Sequence, residues 1–266
     1  MRTLNIVLVS SLILLFSCSK NSDRDLDTTI NSSEDFASAQ SIIYDAFKIV
    51  HQAANSSKGI TTINLTDTSS LFGCDTLIVD TTSTPMSITV QFNGTCNERS
   101  GAIYAIFNSK YDILGSLVNI TFNNYTYRSF QIGTGTISYS YSGLNGTLPV
   151  YSYNINNIKI ISPNNKTMSF SGSQRVAINT GATTAIVTDD NYTITGSASG
   201  STYRGNEYTA TFTKDLVLSG SCNWISSGTV TINPENKPGR ILDFGSSCDE
   251  KATVNVNSIE QEITIP

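Results

Sequence analysis

The sequence predicts an all-β protein: a large antiparallel β-meander, folded as a sandwich or an open half-barrel, with one N-terminal amphipathic helix packed on the sheet. Three observations carry that prediction. From about residue 60 to the C-terminus, apolar and polar residues alternate in one short run after another, the period of a strand buried on one face. Clusters of Gly, Asn, Asp and Pro separate the runs, and these residues favour tight turns. A three-and-four spacing of apolar residues occurs over residues 33–54 and is not repeated. With no helical stretch between strands, a parallel βαβ sheet is excluded.

The chain opens with Arg2 and an almost wholly apolar run, Ile6 to Phe16. A positive residue followed by such a run is the order of a signal peptide, and the run is too short to cross a bilayer as a helix. Its end, Leu15-Phe16-Ser17-Cys18, resembles a bacterial lipobox. The resemblance implies a signal peptide over 1–17 and a lipid on Cys18. Residues 18–31 are polar and charged without apolar periodicity and read as a tether. One β-rich domain is expected over 32–266. Its helix, 33–54, starts where Ser32 or Ser33 can cap it, with Glu34 and Asp35 in the first turn. Phe36, Ala39, Ile43, Phe47, Val50 and Ala54 form one stripe that needs a surface to cover, and Lys58-Gly59 marks the stop.

The strands follow. Met86, Ile88, Val90 and Phe92 alternate, as do Val118, Ile120 and Phe122; Ile137, Tyr139 and Tyr141; Tyr151, Tyr153 and Ile155; and Val230 and Ile232. Turns are expected at Asn93-Gly94, Asn145-Gly146, Pro163-Asn164-Asn165, Asp189-Asp190-Asn191 and Pro234-Glu235-Asn236. Asn123-Asn124 and Asn156-Asn157 interrupt long alternations without ending them, as a β-bulge does when a strand switches faces.

Of five cysteines, lipidation takes Cys18 and leaves Cys74, Cys96, Cys222 and Cys248. An even set in an exported chain reads as two disulfides, with three connectivities open. Cys74 and Cys96 flank one predicted hairpin, and Cys222 and Cys248 flank another. Antiparallel pairing brings such ends together, so Cys74–Cys96 and Cys222–Cys248 are the bonds expected. The likeness of the two units fits either a duplication or two hairpins meeting similar demands. The segments Ser227 to Ile232 and Arg240 to Val256, and more weakly Cys96 to Ile103, resemble repeats in uncharacterised exported lipoproteins of the Bacteroidota type. That resemblance implies an envelope address and a β architecture, and it brings no active residue with it.

The chemistry is mostly bounded by exclusion. A net charge of −5 and a pI near 4.8 do not suit nucleic acid, which needs clustered Lys and Arg. His51, the single histidine, lies near the helix C-terminus, where a surface role offsetting the helix dipole is expected. Without a second histidine, His-bearing zinc sites lack ligands. The fingerprints of serine hydrolases, zinc proteases, P-loops and dinucleotide folds are absent from the sequence. Asp23, Asp25, Asp27, Asn31 and Glu34 have the spacing of a calcium loop, but Thr28 stands where that loop needs glycine. A solvated acidic tether is the reading preferred there, and no cofactor or metal is expected. Asp189, Asp190, Asp243, Asp249 and Glu250 could serve a glycosidase, though turn positions explain most of them. Trp224 follows Cys222 closely enough to cover its disulfide. For Tyr125, Tyr127, Tyr139, Tyr141, Tyr151 and Tyr153 two readings stay open: an exposed aromatic row for a partner, or cross-strand packing.

The first functional expectation is therefore a lipid-anchored outer-membrane protein, on the periplasmic face or the cell surface. Its role would be non-catalytic, binding or structural, with the lipid holding the membrane and the β domain contacting a glycan or envelope protein. The alternatives are a half-barrel carrier of lipid or lipoprotein, with the helix as a lid over an apolar concavity, and a carboxylate-dependent glycoside hydrolase.

Overall fold

A computed structural model of the chain describes residues 30–62, 69–182, 184 and 187–266. It contains one helix, α1 (Asn31–Ser56), and the strands β1 (Asp75–Asp80), β2 (Met86–Cys96), β3 (Arg99–Phe107), β4 (Leu117–Tyr127), β5 (Phe130–Ile132), β6 (Thr136–Asn145) and β7 (Leu148–Ile161). There follow β8 (Thr167–Thr180), β9 (Asn191–Ser201), β10 (Glu207–Ser219), β11 (Ile225–Pro234), β12 (Arg240–Asp243), β13 (Lys251–Val256) and β14 (Ile259–Thr264). Neighbours pair antiparallel in sequence order, as the alternating runs predict. β5 and β6 together fill one place between β4 and β7. The result is one continuous sheet, not two stacked ones, with β1 and β14 at its edges.

Local features bend this sheet. Both predicted bulges are present. Asn124 and Asn157 take the left-handed conformation, at φ 48° and 46°. The register slips beside each of them, between Ser100 and Ala102 on β3 and between Ile155 and Ile158 on β7. Asparagine tolerates that conformation better than most residues. The facing backbone needs glycine: a Cβ on Gly101 would lie 2.3 Å from the Asn124 carbonyl oxygen, and one on Gly135 would lie 2.6 Å from that of Asn157. β10 slips in the same way against β9, between Thr211 and Leu216. Each bulge raises local twist. Added to the ordinary right-handed twist of strands, this coils the sheet around α1, whose backbone approaches β2, β3, β8 and β11.

One predicted turn is displaced. β2 runs through Asn93-Gly94 to Cys96, with Gly94 at φ 67°, and the chain reverses at Asn97-Glu98, where both residues are left-handed. The disulfides are those expected. Cys74–Cys96 joins the approach to β1 to the end of β2, and Cys222–Cys248 joins the approach to β11 to the chain beyond β12. Two such bonds indicate an oxidising compartment outside the cytoplasm.

The helix departs furthest from its sequence pattern. It begins at Asn31, and Ile30 precedes it without a side-chain cap. The Ile30 carbonyl instead accepts from the Ser33 and Glu34 amides, at 2.8 and 3.0 Å. Ser32 and Ser33 lie inside the helix, buried, so neither caps it. From Asp35 to Ala54 every residue is buried except Lys48 and Gln52. α1 is thus the filling of a coiled sheet, not an amphipathic helix resting on one face of it. Phe36, Ile42, Ile43, Phe47, Ile49 and Val50 are each at most 1% exposed, and full burial of such a side chain contributes about 1.5–3 kcal/mol.

Burial gives most of the longer polar side chains of α1 a partner, whereas the Ser32, Ser33 and Ser41 hydroxyls have none among the described residues. Asn31 donates to the Tyr203 hydroxyl at 2.6 Å, and Asp35 accepts from the Tyr203 amide at 3.0 Å. Gln40 and Gln174 exchange amide hydrogen bonds at 2.9 and 3.3 Å, and Tyr44 donates to Gln174 at 2.7 Å. Nearly every turn of the helix is pinned to the sheet by a pair of this kind.

Candidate functional site

Lys48 and Gln52 stand one turn apart on the same face of α1, and that face opens into a cleft of about 450 Å³. One wall is the approach to β1 with the β2–β3 turn: Leu71, Phe72, Asn97 and Glu98. The other is the β10–β11 connection, Gly220 and Asn223, with Thr188 from a short 3-10 turn (Val187–Asp189). Each wall carries one disulfide, since Cys74 and Cys96 adjoin Phe72 and Asn97, and Cys222 adjoins Asn223. Hairpins far apart in the strand order thus face each other across the helix.

Charged groups organise the floor. Arg99 donates through Nε to Asp45 Oδ2 at 2.9 Å, and its Nη2 bonds Asp45 Oδ1. Tyr125 donates to the same carboxylate at 2.5 Å. The guanidinium is sandwiched between the Phe72 and Tyr127 rings, at 5.1 and 4.7 Å from their centroids. Arg128 pairs with Glu98 at 2.9 Å and lies over Tyr127 and Trp224, at 5.2 and 4.5 Å. Arg128 therefore ties the β4–β5 turn to the far side of the sheet. Trp224 serves mainly as that platform, with its amide 3.4 Å from the Cys222 sulfur. Burial, with the Asp45 charge beside it, pushes the Tyr127 hydroxyl up to about 12, so it stays neutral.

Lys48 differs from its neighbours. Its ammonium donates to the Cys222 carbonyl at 3.0 Å, and no carboxylate among the described residues pairs with it. Burial lowers its pKa; Asp45 acts against that shift, while Arg99 and Arg128 add to it.

The other expected site residues fall elsewhere. Tyr125, Tyr127, Tyr139, Tyr151 and Tyr153 are at most 5% exposed, and Tyr141 is half-buried. They point inward at α1 because the bulges turn their strands' apolar faces to the helix. The exposed aromatic row is thereby corrected to core packing: Phe47 meets Tyr139, Tyr151 and Tyr153 edge-on at 5.2–6.1 Å. His51 is not at the surface either. It is 3% exposed, with Nδ1 2.5 Å from the Tyr111 hydroxyl and Nε2 3.5 Å from Asp190 Oδ2. Tyr192 donates to the same Asp190 oxygen at 2.9 Å. The rings of Phe47, Tyr111, Tyr151 and Tyr192 enclose the imidazole.

Of the calcium-spaced residues, Asp23, Asp25 and Asp27 lie outside the described residues, as does Cys18. Asn31 and Glu34 belong to α1, where Asn31 is engaged with Tyr203. Asp243 and Asp249 accept from backbone amides of their own turns, Gly245 and Lys251, at 2.8 and 2.9 Å. They do not converge with Asp190, which is buried beside His51.

Sequence reasoning missed Asp45, Lys48, Gln52 and Arg99. Asp45, Lys48 and Gln52 look like an ordinary solvated helix face, and Arg99 like a polar residue after a turn. A signal was present in the cysteines: both disulfide hairpins lead into the walls of this cleft. Comparison of the chain with protein-family models, with curated proteins and with solved structures returns no match.

Proposed function

We propose that this protein is an exported, lipid-anchored component of the bacterial cell envelope, attached through Cys18, whose β domain is a non-catalytic binding module working through the Lys48 cleft. The observation that carries the binding part is the break in the cover of α1 between Asp35 and Ala54. From Asp35 to Ala54 the helix is enclosed except at Lys48 and Gln52, and those two residues face a cleft between disulfide-tied walls. Walls held in this way keep their shape without a ligand, which lowers the cost of binding one. The leader's resemblance to a lipobox supports the anchor. The carrier alternative requires an apolar cavity beneath residues 36–54, and the space on that side of α1 is packed with aromatic and aliphatic side chains.

The anchor is tested by growing producing cells with a labelled fatty acid and shaving intact cells with protease. Label in the wild-type protein and none in Cys18→Ala is the expected result. An unlabelled wild-type protein with reduced cysteines, recovered from the cytosol, would overturn the proposal.

A further inference from the structure

Among the charged side chains that line the cleft, Lys48 alone has no oppositely charged partner in the described residues. Both Asp45 oxygens are engaged, by Arg99 and Tyr125. Glu98 stands at the rim and is held by Arg128. An ammonium carries three donors, and the Cys222 carbonyl takes one of them. Two N–H donors therefore remain on a lysine that lines the cleft. A cation withdrawn from water without a counter-ion is costly, and a carboxylate arriving with its own charge would offset that cost through a charge-assisted hydrogen bond. Around it, the Gln52, Asn97 and Asn223 side chains each carry a carbonyl that accepts and an amide that donates. This is the pairing that neighbouring sugar hydroxyls require. The walls are turns and the floor is a helix, so the cleft offers no open strand edge for an extended peptide to join. Its volume, about 450 Å³, falls within the range of small-molecule sites.

We infer that the cleft binds an acidic sugar, with the carboxylate of a uronic acid residue seated on the Lys48 ammonium and its hydroxyls on the surrounding amides. This rests on the reading of the β domain as a binding module and names its ligand class.

The test uses the mature chain with both disulfides formed and its lysines labelled with carbon-13 at Cε, so that each amine's titration is followed by NMR with its three N–H donors unmodified. Four probes are added in turn: galacturonate, galactose, acetate, and an N-acetylated dipeptide with a free C-terminal carboxylate. Galacturonate is expected to move the Lys48 titration upward by about one pH unit, and to bind at least about tenfold more tightly than galactose, which lacks the charge-assisted hydrogen bond, and than acetate, which lacks the hydroxyl contacts. Lys48→Met should abolish that preference and Lys48→Arg should keep part of it. If the Met variant fails to fold, the wild-type titration alone decides. A Lys48 titration unmoved by every probe overturns the site. Acetate or the dipeptide binding as tightly as galacturonate overturns the sugar. Fatty-acid labelling is read separately, so loss of the anchor and loss of the ligand are distinguishable failures.

Discussion

α1 buries charge-bearing side chains at two centres, and they are built differently. Around His51 each ring nitrogen has a neighbour, Tyr111 on one side and Asp190 with Asn55 on the other, and aromatic rings close the site from water. Around Lys48, less than a turn earlier, one flank is equally well matched: Arg99 has Asp45, and Asp45 also has Tyr125. The other flank is open, and its ammonium holds a carbonyl where a carboxylate would match it. Sequence alone would nominate His51 for chemistry and pass over Lys48. Enclosure reverses that ranking. A polar group such as the His51 imidazole, with a neighbour at each nitrogen and no path to solvent, belongs to the fold, even though Asp190 Oδ1 has no partner among the described residues. A cation with unused donors at the floor of a cleft is equipped to meet something else.

Breaking the matched pair should have the largest effect. Asp45→Ala leaves the Arg99 guanidinium buried without its carboxylate, and the expected loss is about 3–5 kcal/mol, read from the urea unfolding curve. A loss below 1 kcal/mol would mean that water reaches Arg99 and that the two centres are less distinct than described.

Asp35 sharpens the comparison because it is an acid on the same helix on which burial outweighs the nearby Arg204 and Lys166 charges. Its carboxylate accepts from the Tyr203 amide, and burial, helped by the nearby Glu34 charge, pushes it up from 3.8 to about 7. The folded state therefore holds this proton more tightly than the unfolded chain does. The resulting stabilisation is complete below about pH 4 and is lost as pH rises through about 7. Asp35→Asn should remove a pH-dependent difference of up to about 4 kcal/mol, so that its stability falls less between pH 4 and 8 than that of the wild type. Parallel pH profiles for the two proteins would show that Asp35 is well solvated.

The closed centre is probed by His51→Leu, which keeps much of the volume and removes the contacts to Tyr111, Asp190 and Asn55. The expected loss is about 2 kcal/mol, the cost of leaving Tyr111 and Asp190 without this partner. Measured by thermal or urea unfolding, it should exceed the effect of Lys48→Met. For that variant the expectation is a change within about 1 kcal/mol of zero, including a small gain, because a poorly matched, half-buried cation gives way to an apolar chain of similar length. A loss near that of Asp45→Ala would make Lys48 a structural residue and remove the contrast.

Much of the fold was legible because its signals are local. Alternation at Val118, Ile120 and Ile137, Tyr139 marks strands wherever the strands end up. Asn124 and Asn157 mark bulges because few other residues accept a positive φ. Cys74 and Cys96 flank a hairpin in the sequence and therefore meet in space. Asn93-Gly94 misled because the same dipeptide serves a bulge inside a strand as readily as a turn. The candidate site was illegible for the opposite reason. Lys48 meets Cys222, and Arg128 meets Trp224, across strands that are not neighbours in the sheet. Each meeting depends on the rotation accumulated between them.

The sequence by itself determined the strands, their antiparallel order, the bulges and the two disulfide hairpins, since period, turn chemistry and cysteine placement act over a few residues. The tertiary structure decided that the sheet coils around α1, that the tyrosines face inward and that Lys48 and Gln52 are left uncovered. The physical reason is that twist adds up over the thirteen places from β1 to β14. No single run of residues specifies where that sum brings the two ends of the sheet, yet it sets which side of the helix stays open.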